Sequence, residues 1–276
     1  MTAPLQVGIH LPQYGRVAGA DAIVRAARHA EALGFADLWV SDHVVHPASQ
    51  DYPSPYLFDP LVTLSWAAAV TERIGLGTSV LVVPMHNPLE LANSLASLDA
   101  LSSGRLTIAV GAGWSAAEFA ALGRDFATRG RRLDEAIDLF RAAWTEDPLS
   151  FHGRFSSFDD IRLLPKPARP IPIWVGGRSE PAYRRAVERG DGYQAVGLSP
   201  DEAVPIVARL RRDRPDEGFP ISLRTGWDPL GMDPGRIVEE RAAFAEAGIR
   251  HVVSAPWRRE LDDWLAAMER LAELVL

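Results

Sequence analysis

An acid and an imidazole stand side by side at Asp42-His43, with Ser41 before them and a second imidazole at His46. Histidine changes charge near neutrality and can reach a reacting atom as donor or acceptor, and a carboxylate partner holds its ring in one orientation. His43 is therefore the candidate acid–base or electrostatic residue, with Asp42 expected to orient it. A His–Asp pair that merely satisfies a loop is the bland alternative. The pair's place directly after the apolar run Phe35 to Val40 favours chemistry. His43 and His46 make an H-x-x-H spacing, but no further His or carboxylate cluster completes a ligand set at comparable positions, so no metal is expected.

Two glycine-bearing segments could approach a ligand by backbone. Gly111-Ala112-Gly113-Trp114 is not a dinucleotide fingerprint, because the required third glycine position is Ala116. It reads either as a tight turn or as a close backbone approach beneath an aromatic wall from Trp114. In Trp174-Val175-Gly176-Gly177-Arg178-Ser179, two glycines leave an apolar run and Ser179 stands before a helix starting at Glu180-Pro181. Helix-start N–H groups and the Arg178 charge there form a phosphate cradle; an ordinary Ser N-cap is the alternative.

Composition removes other chemistries. Without cysteine there is no thiol nucleophile, disulfide framework, Cys-ligated zinc or iron–sulfur cluster. The sole lysine, Lys166, lies between Pro165 and Pro167 in a stretch biased to extended backbone, which disfavours a Schiff base, and no Walker A lysine motif occurs. A net charge of −7 argues against a general nucleic-acid surface.

The elements that must position these residues alternate along the 276-residue chain. Apolar runs of strand length fall at 5–11, 36–41, 74–83, 105–111, 171–176, 192–196, 220–226 and 250–255. Helical periodicity falls at 19–33, 59–71, 88–102, 128–146, 180–189, 200–213, 234–247 and 259–275. Eight such units favour an α/β chain closed into a (β/α)8 TIM barrel, one domain over residues 1–276, above an open doubly wound sheet. Segments 43–58 and 147–170 do not fit the repeat. In a barrel, chemistry belongs at the carboxyl ends of the strands. The residues there are rich in glycine, hydroxyls and tryptophan, a lining suited to a large flat ligand. The N-terminal residues carry no basic and apolar leader pattern, and no apolar run approaches the roughly 18 residues of a membrane span, so a cytoplasmic protein is expected.

The stretches AEALGFADLWVSDH (30–43), ERIGLGTSVLVVPMHNP (72–88), LANSLASLDALSSGRL (91–106), GAGWSAAEF (111–119), RLDEAIDLFRAAW (132–144) and IPIWVGGRS (171–179), in this order, resemble the luciferase-like monooxygenase superfamily. They are most similar to its deazaflavin (coenzyme F420)-dependent oxidoreductases. The resemblance implies a bacterial-luciferase-like barrel with the cofactor's tricyclic ring deep in the C-terminal mouth, beside Asp42 and His43. It implies that Thr78, Ser79 and Val80 line the ring, with a non-prolyl cis peptide at Ser79–Val80. Asn87, Gly111 and Gly113 would contact the cofactor or shape its pocket, and Gly176, Gly177, Arg178 and Ser179 would hold its phosphate. Tyr56, Trp114 and Trp227 are candidates for the substrate-side wall, simple packing being the alternative for each.

The sugar-phosphate dehydrogenases of this family carry an acid directly after the fourth-strand glycines, where this chain has Trp114, and Glu118 lies several residues later. Sugar-phosphate oxidation is therefore not expected. The leading expectation is hydride transfer between reduced coenzyme F420 and a small organic substrate such as an enone, imine, ketone or alcohol. The compact chain favours deazaflavin over flavin mononucleotide (FMN). Two alternatives remain: an FMN-dependent monooxygenase that uses O2 and a separate flavin reductase, and a catalytically silent cofactor-binding protein. The resemblance also implies a homodimer formed through outer barrel helices.

Overall fold

The computed structural model describes residues 5–50 and 54–276. Its first half runs β1 (Gln6–His10), α1 (Ala20–Leu33), β2 (Asp37–Val40), α2 (Pro60–Ala68), β3 (Gly75–Leu81), α3 (Pro88–Leu101), β4 (Leu106–Val110), α4 (Ala116–Ala121) and α5 (Arg129–Thr145). The second half runs β5 (Leu149–His152), β6 (Ser157–Ile161), β7 (Ile173–Gly176), α6 (Glu180–Arg189), β8 (Gly192–Val196), α7 (Pro200–Asp213), β9 (Ile221–Thr225), α8 (Pro234–Ala247), β10 (His251–Ser254) and α9 (Leu261–Val275).

The strands β1, β2, β3, β4, β7, β8, β9 and β10 pair in that order, every neighbour parallel, and β10 returns to β1 to close the barrel. Parallel strands buried on both faces need unbroken apolar runs, which is why the expected strands and the observed ones coincide so closely. Closure excludes the doubly wound sheet. Inside the barrel, Trp39 and Trp174 stack with ring centres 5.4 Å apart, packed with Ala109, Val253 and Val80.

Local signals set the helix ends. The α1 stripe Ala22, Ile23, Ala26, Ala27 and Ala30 is buried, and Gly34 stops the helix in the left-handed region with its N–H on Ala30 O. From α1, the Glu31 carboxylate accepts the N–H groups of Arg73 at 2.6 Å and Ile74 at 2.9 Å, tying the helix to the turn before β3.

Two features depart from the simple repeat. The segment 147–170 holds an antiparallel hairpin, β5 against β6, with Phe151 and Phe158 stacked across it. Its turn is held by Glu135 of α5, whose carboxylate accepts the N–H groups of Arg154, Phe155 and Ser156. The short helix α4 follows β4, where only a turn was expected; Ser115 caps it by accepting the Glu118 N–H. Among the described residues, no helix is long and apolar enough to cross a membrane.

Candidate active site

The carboxyl ends of β2, β3, β4, β7, β8 and β9 surround a cleft of about 480 Å³. Of the residues singled out from sequence, Asp42, His43, Ser79, Val80, Gly111, Gly113, Trp114, Gly176, Gly177, Arg178 and Ser179 line it. The Ser79–Val80 peptide is cis, at the position that the resemblance indicated. Val80 projects between two glycines: a Cβ on Gly111 would meet its Cγ2 at 2.7 Å, and one on Gly176 would meet its Cγ1 at 2.5 Å. Glycine at both positions is thus a steric requirement of the Val80 side chain.

Asp42 does not orient His43. Consecutive residues at a strand end point to opposite sides, so the two side chains part. Asp42 Oδ2 accepts the Val82 N–H and the His86 Nε2–H, both at 2.8 Å. His43 Nδ1–H instead donates to Glu118 Oε2 at 3.1 Å, and Glu118 Oε1 accepts the Val44 N–H at 2.8 Å. Glu118 is buried, and burial pushes its carboxyl up. The His43 hydrogen bond and the Val44 and Val45 amides outweigh that and hold it below the usual carboxylate value. With Nδ1 so engaged, Nε2 is the His43 atom left for the cleft, and Trp114 sits edge-on to the ring at 5.8 Å. Two polar atoms of cleft-lining residues, Asp42 Oδ1 and Ser79 Oγ, are buried without a hydrogen-bond partner among the described residues.

Four expected site residues stand elsewhere. Thr78 is fully buried in the barrel wall with its hydroxyl on Ala109 O, because alternation along β3 turns it away from the cleft. Asn87 caps α3, its Oδ1 accepting the Leu89 and Glu90 N–H groups, and borders neighbouring grooves. Trp227 is fully buried on the helix side, its Nε1–H donating to Glu240 and its ring packed near Phe244. Tyr56 is exposed on the loop after β2, edge-on to Phe58, and lies off the cleft wall.

One buried group escaped the sequence reading of roles. His10 donates from Nδ1 to Leu11 O at 2.8 Å, so its neutral ring accepts from Ser41 Oγ at Nε2, 2.9 Å away. Burial and the nearby Arg224 charge push His10 down to about 3. Arg224 in turn donates to Ser41 Oγ at 2.8 Å and to the Ser79 carbonyl at 2.5 Å, bracing the cis bond from inside the barrel.

At the other end of the cleft, Gly177 adopts φ +122 and its carbonyl accepts the Tyr193 hydroxyl at 2.9 Å. Ser179 occupies the N-cap of α6, yet its hydroxyl makes no capping bond. Arg129 and Arg185 join Arg178 at this end. The start of α6 thus has no side-chain cap, and the Ser179 hydroxyl stands beside it with three guanidinium groups in the same lining.

The luciferase-like monooxygenase family model matches residues 2–226. The chain belongs to this family. An uncharacterised protein of Mycobacterium tuberculosis is 32% identical, with 90% of this chain and 91% of that one covered. The F420-dependent glucose-6-phosphate dehydrogenase of Intrasporangium calvum is 31% identical over 95% of this chain and 78% of that one. An F420-dependent secondary alcohol dehydrogenase, solved with an F420–acetone adduct, shares the fold at a TM-score of 0.82 and 21% identity, with 99% of each chain covered.

In this luciferase-like monooxygenase chain the His86–Asp42 pair carries a pH signature. Burial pushes the His86 imidazole down, but the Asp42 hydrogen bond and charge outweigh it and leave it above the usual value. A raised folded-state value means that the pair's stabilisation is complete below about pH 6.5, the unfolded histidine value, and fades as pH rises through the higher folded one. His86→Asn should therefore cost about 1.5–3 kcal/mol below that window, the worth of a hydrogen bond to a charged group, and less above it. Denaturant melts at a series of pH values check this; a cost that is the same on both sides of the window removes the charged pair.

Proposed function

We propose that this chain is a coenzyme F420-dependent oxidoreductase that transfers a hydride between the deazaflavin and a small organic substrate such as an enone, imine, ketone or alcohol. The observation that carries the reading is one continuous cleft with two unpartnered buried polar atoms at one end and an uncapped, arginine-flanked helix start at the other. A flat ring with a polar edge and a phosphate-bearing tail matches both ends. The named F420-dependent relative supports the choice of cofactor.

When bound, the cofactor supplies the hydride chemistry, and the protein contributes orientation, exclusion of water and a proton route. Asp42 and Ser79 would hold the polar ring edge through the atoms that now lack partners. Ser179, Arg178 and the Gly176-Gly177 backbone would hold the phosphate. His43 Nε2 is the atom that would deliver or accept the proton accompanying the hydride, since a ketone needs one of each to become an alcohol. Glu118 keeps the other imidazole nitrogen protonated and the ring in place. The substrate is a small molecule, and a cytoplasmic location remains part of this reading. So does a homodimer, supported by Val62 and Trp66, one turn apart on the outer helix α2, which leave 66% and 52% of their surfaces exposed.

Fluorescence titration of the purified protein should show tighter binding of oxidised F420 than of FMN; the opposite preference transfers the reading to the flavin monooxygenases. Ser179→Asp keeps a favourable N-cap but sets a carboxylate in the anion site. It should leave the melting temperature nearly unchanged and weaken F420 at least tenfold. An undiminished affinity would remove the cradle.

His43→Asn should retain cofactor binding and slow single-turnover oxidation of bound reduced F420 by about 10²–10⁴-fold, the usual range for acid–base catalysis. An unchanged rate in folded, loaded protein would remove His43 from the chemistry. Light scattering should give a dimer mass, and Trp66→Glu should return the monomer.

A further inference from the structure

A second cavity, of about 340 Å³, is walled by the segment between β3 and α3, the turn after α4, the helix α5 and the hairpin β5–β6. It shares no described lining residue with the cleft and meets it through the bond from His86 to Asp42. The ionisable groups of its described lining are His86, Arg124, Arg132 and Glu135. Glu135 is turned to the hairpin, where its two oxygens accept the N–H groups of Arg154, Phe155 and Ser156. The other three are bases.

Each base has donors to spare. His86 gives Nε2–H to Asp42 Oδ2 at 2.8 Å, which leaves Nδ1 without a hydrogen bond among the described residues. Arg132 gives Nε–H to Thr128 Oγ1 at 3.0 Å and lies over the Phe155 ring at 4.3 Å. Its terminal amino groups donate to nothing among the described residues, and the half-buried Arg124 side chain has no hydrogen bond or ion pair there at all. Burial and the Arg124 charge oppose the protonated His86, and the Asp42 bond and charge, with Asp59 behind them, outweigh both. Solvated surface arginines are ordinary. These line a cavity beside a histidine that is held in its charged form, so like charges gather where an anion would offset their repulsion. Guanidinium forks match phosphoryl oxygens, and the cavity is larger than a phosphate group fills, with Phe155, Pro84 and Leu89 as apolar wall.

We propose that this cavity is a second binding site, for a small phosphate monoester whose phosphoryl group is held by Arg124, Arg132 and His86 Nδ1. The organic part lies against Phe155 and Leu89. The site is independent of the redox reading, because neither arginine touches the cleft. Free phosphate offers the same oxygens without the organic part and binds more weakly.

Isothermal titration calorimetry with phenyl phosphate and with inorganic phosphate, at constant ionic strength, is the test. In Ser179→Asp, where the start of α6 is closed to anions, phenyl phosphate should saturate one site and bind more tightly than inorganic phosphate. Adding Arg124→Gln or Arg132→Gln should weaken it at least tenfold, the loss expected for a hydrogen bond to a charged group. Arg124→Gln alone should leave the melting temperature and the F420 affinity nearly unchanged, since this side chain has no described partner to lose. Absence of binding in Ser179→Asp, or an affinity that both arginine substitutions leave intact, overturns the site. Inorganic phosphate that matches phenyl phosphate overturns the monoester assignment, and a loss of F420 affinity in folded Arg124→Gln overturns the separation from the cleft. Phenyl phosphate binding in a protein that ignores F420 would sink the redox reading and leave this site standing.

Discussion

A closed eight-stranded barrel encloses a space that side chains must fill, and here two stacked indoles stand in it with the His251 ring beside them. Trp39 from β2 and Trp174 from β7 stack across the interior, and the strands around them give up side chains to make room. A Cβ on Gly77 would come within 2.6 Å of the Trp39 ring, and one on Gly192 within 2.5 Å of Trp174. Val80 packs on this plug, and the cleft begins above it. The depth of the cleft, and the level at which Ser79, Asp42 and Gly111 line it, thus follow from the thickness of two stacked rings.

Above the plug, charge is arranged by pairing each acid with a base from a different element. Asp42 reaches His86, 44 residues on, and His43 reaches Glu118, 75 residues on. The Asp42 pair joins β2 to the segment before α3, and the His43 pair joins β2 to α4, so both staple the second strand end to its neighbours. Between them a cation is accommodated by withholding another: His10 stays neutral beside Arg224, so the guanidinium braces the Ser79 carbonyl without like-charge repulsion. The site therefore mixes fixed ionised groups with one imidazole whose outward nitrogen is uncommitted.

The barrel was legible because its strands are buried on both faces and its helices carry their own stops. Continuous runs such as Phe35 to Val40 and terminators such as Gly34 mark boundaries to within a residue or two. The partners of Asp42 and His43 were not legible from adjacency, since chain neighbours on a strand diverge while spatial neighbours come from distant elements. A local signal for one of them was present. Ser115-Ala116-Ala117-Glu118 has the S-x-x-E pattern of a helix start, which marks α4 and sets Glu118 on its first turn. Thr78 and Asn87 show the opposite error. A family motif groups residues by sequence, but alternation along β3 and the capping needs of α3 assign those two to packing and helix termination. Trp227 was drawn to the mouth by its place after a strand, yet its indole N–H finds Glu240 on the helix side.

Leaving Asp42 Oδ1 and Ser79 Oγ buried and unpartnered carries a cost, about 1–3 kcal/mol for each unmet polar group. A fold tolerates such a cost where the surrounding geometry is determined by stronger constraints, and both residues meet that condition. Asp42 is clamped through Oδ2 by Val82 and His86, so its second oxygen cannot turn to find another donor. Ser79 is gripped through its carbonyl by Arg224, which fixes the backbone and keeps that guanidinium from serving the hydroxyl. Each residue thus spends one polar atom on the scaffold and holds the other ready. On the proposed cofactor reading, that division would separate a binding surface from an imperfectly satisfied core: the scaffold contacts would make the ligand-facing atoms rigid before the ligand arrives, leaving little ordering entropy to be lost on binding.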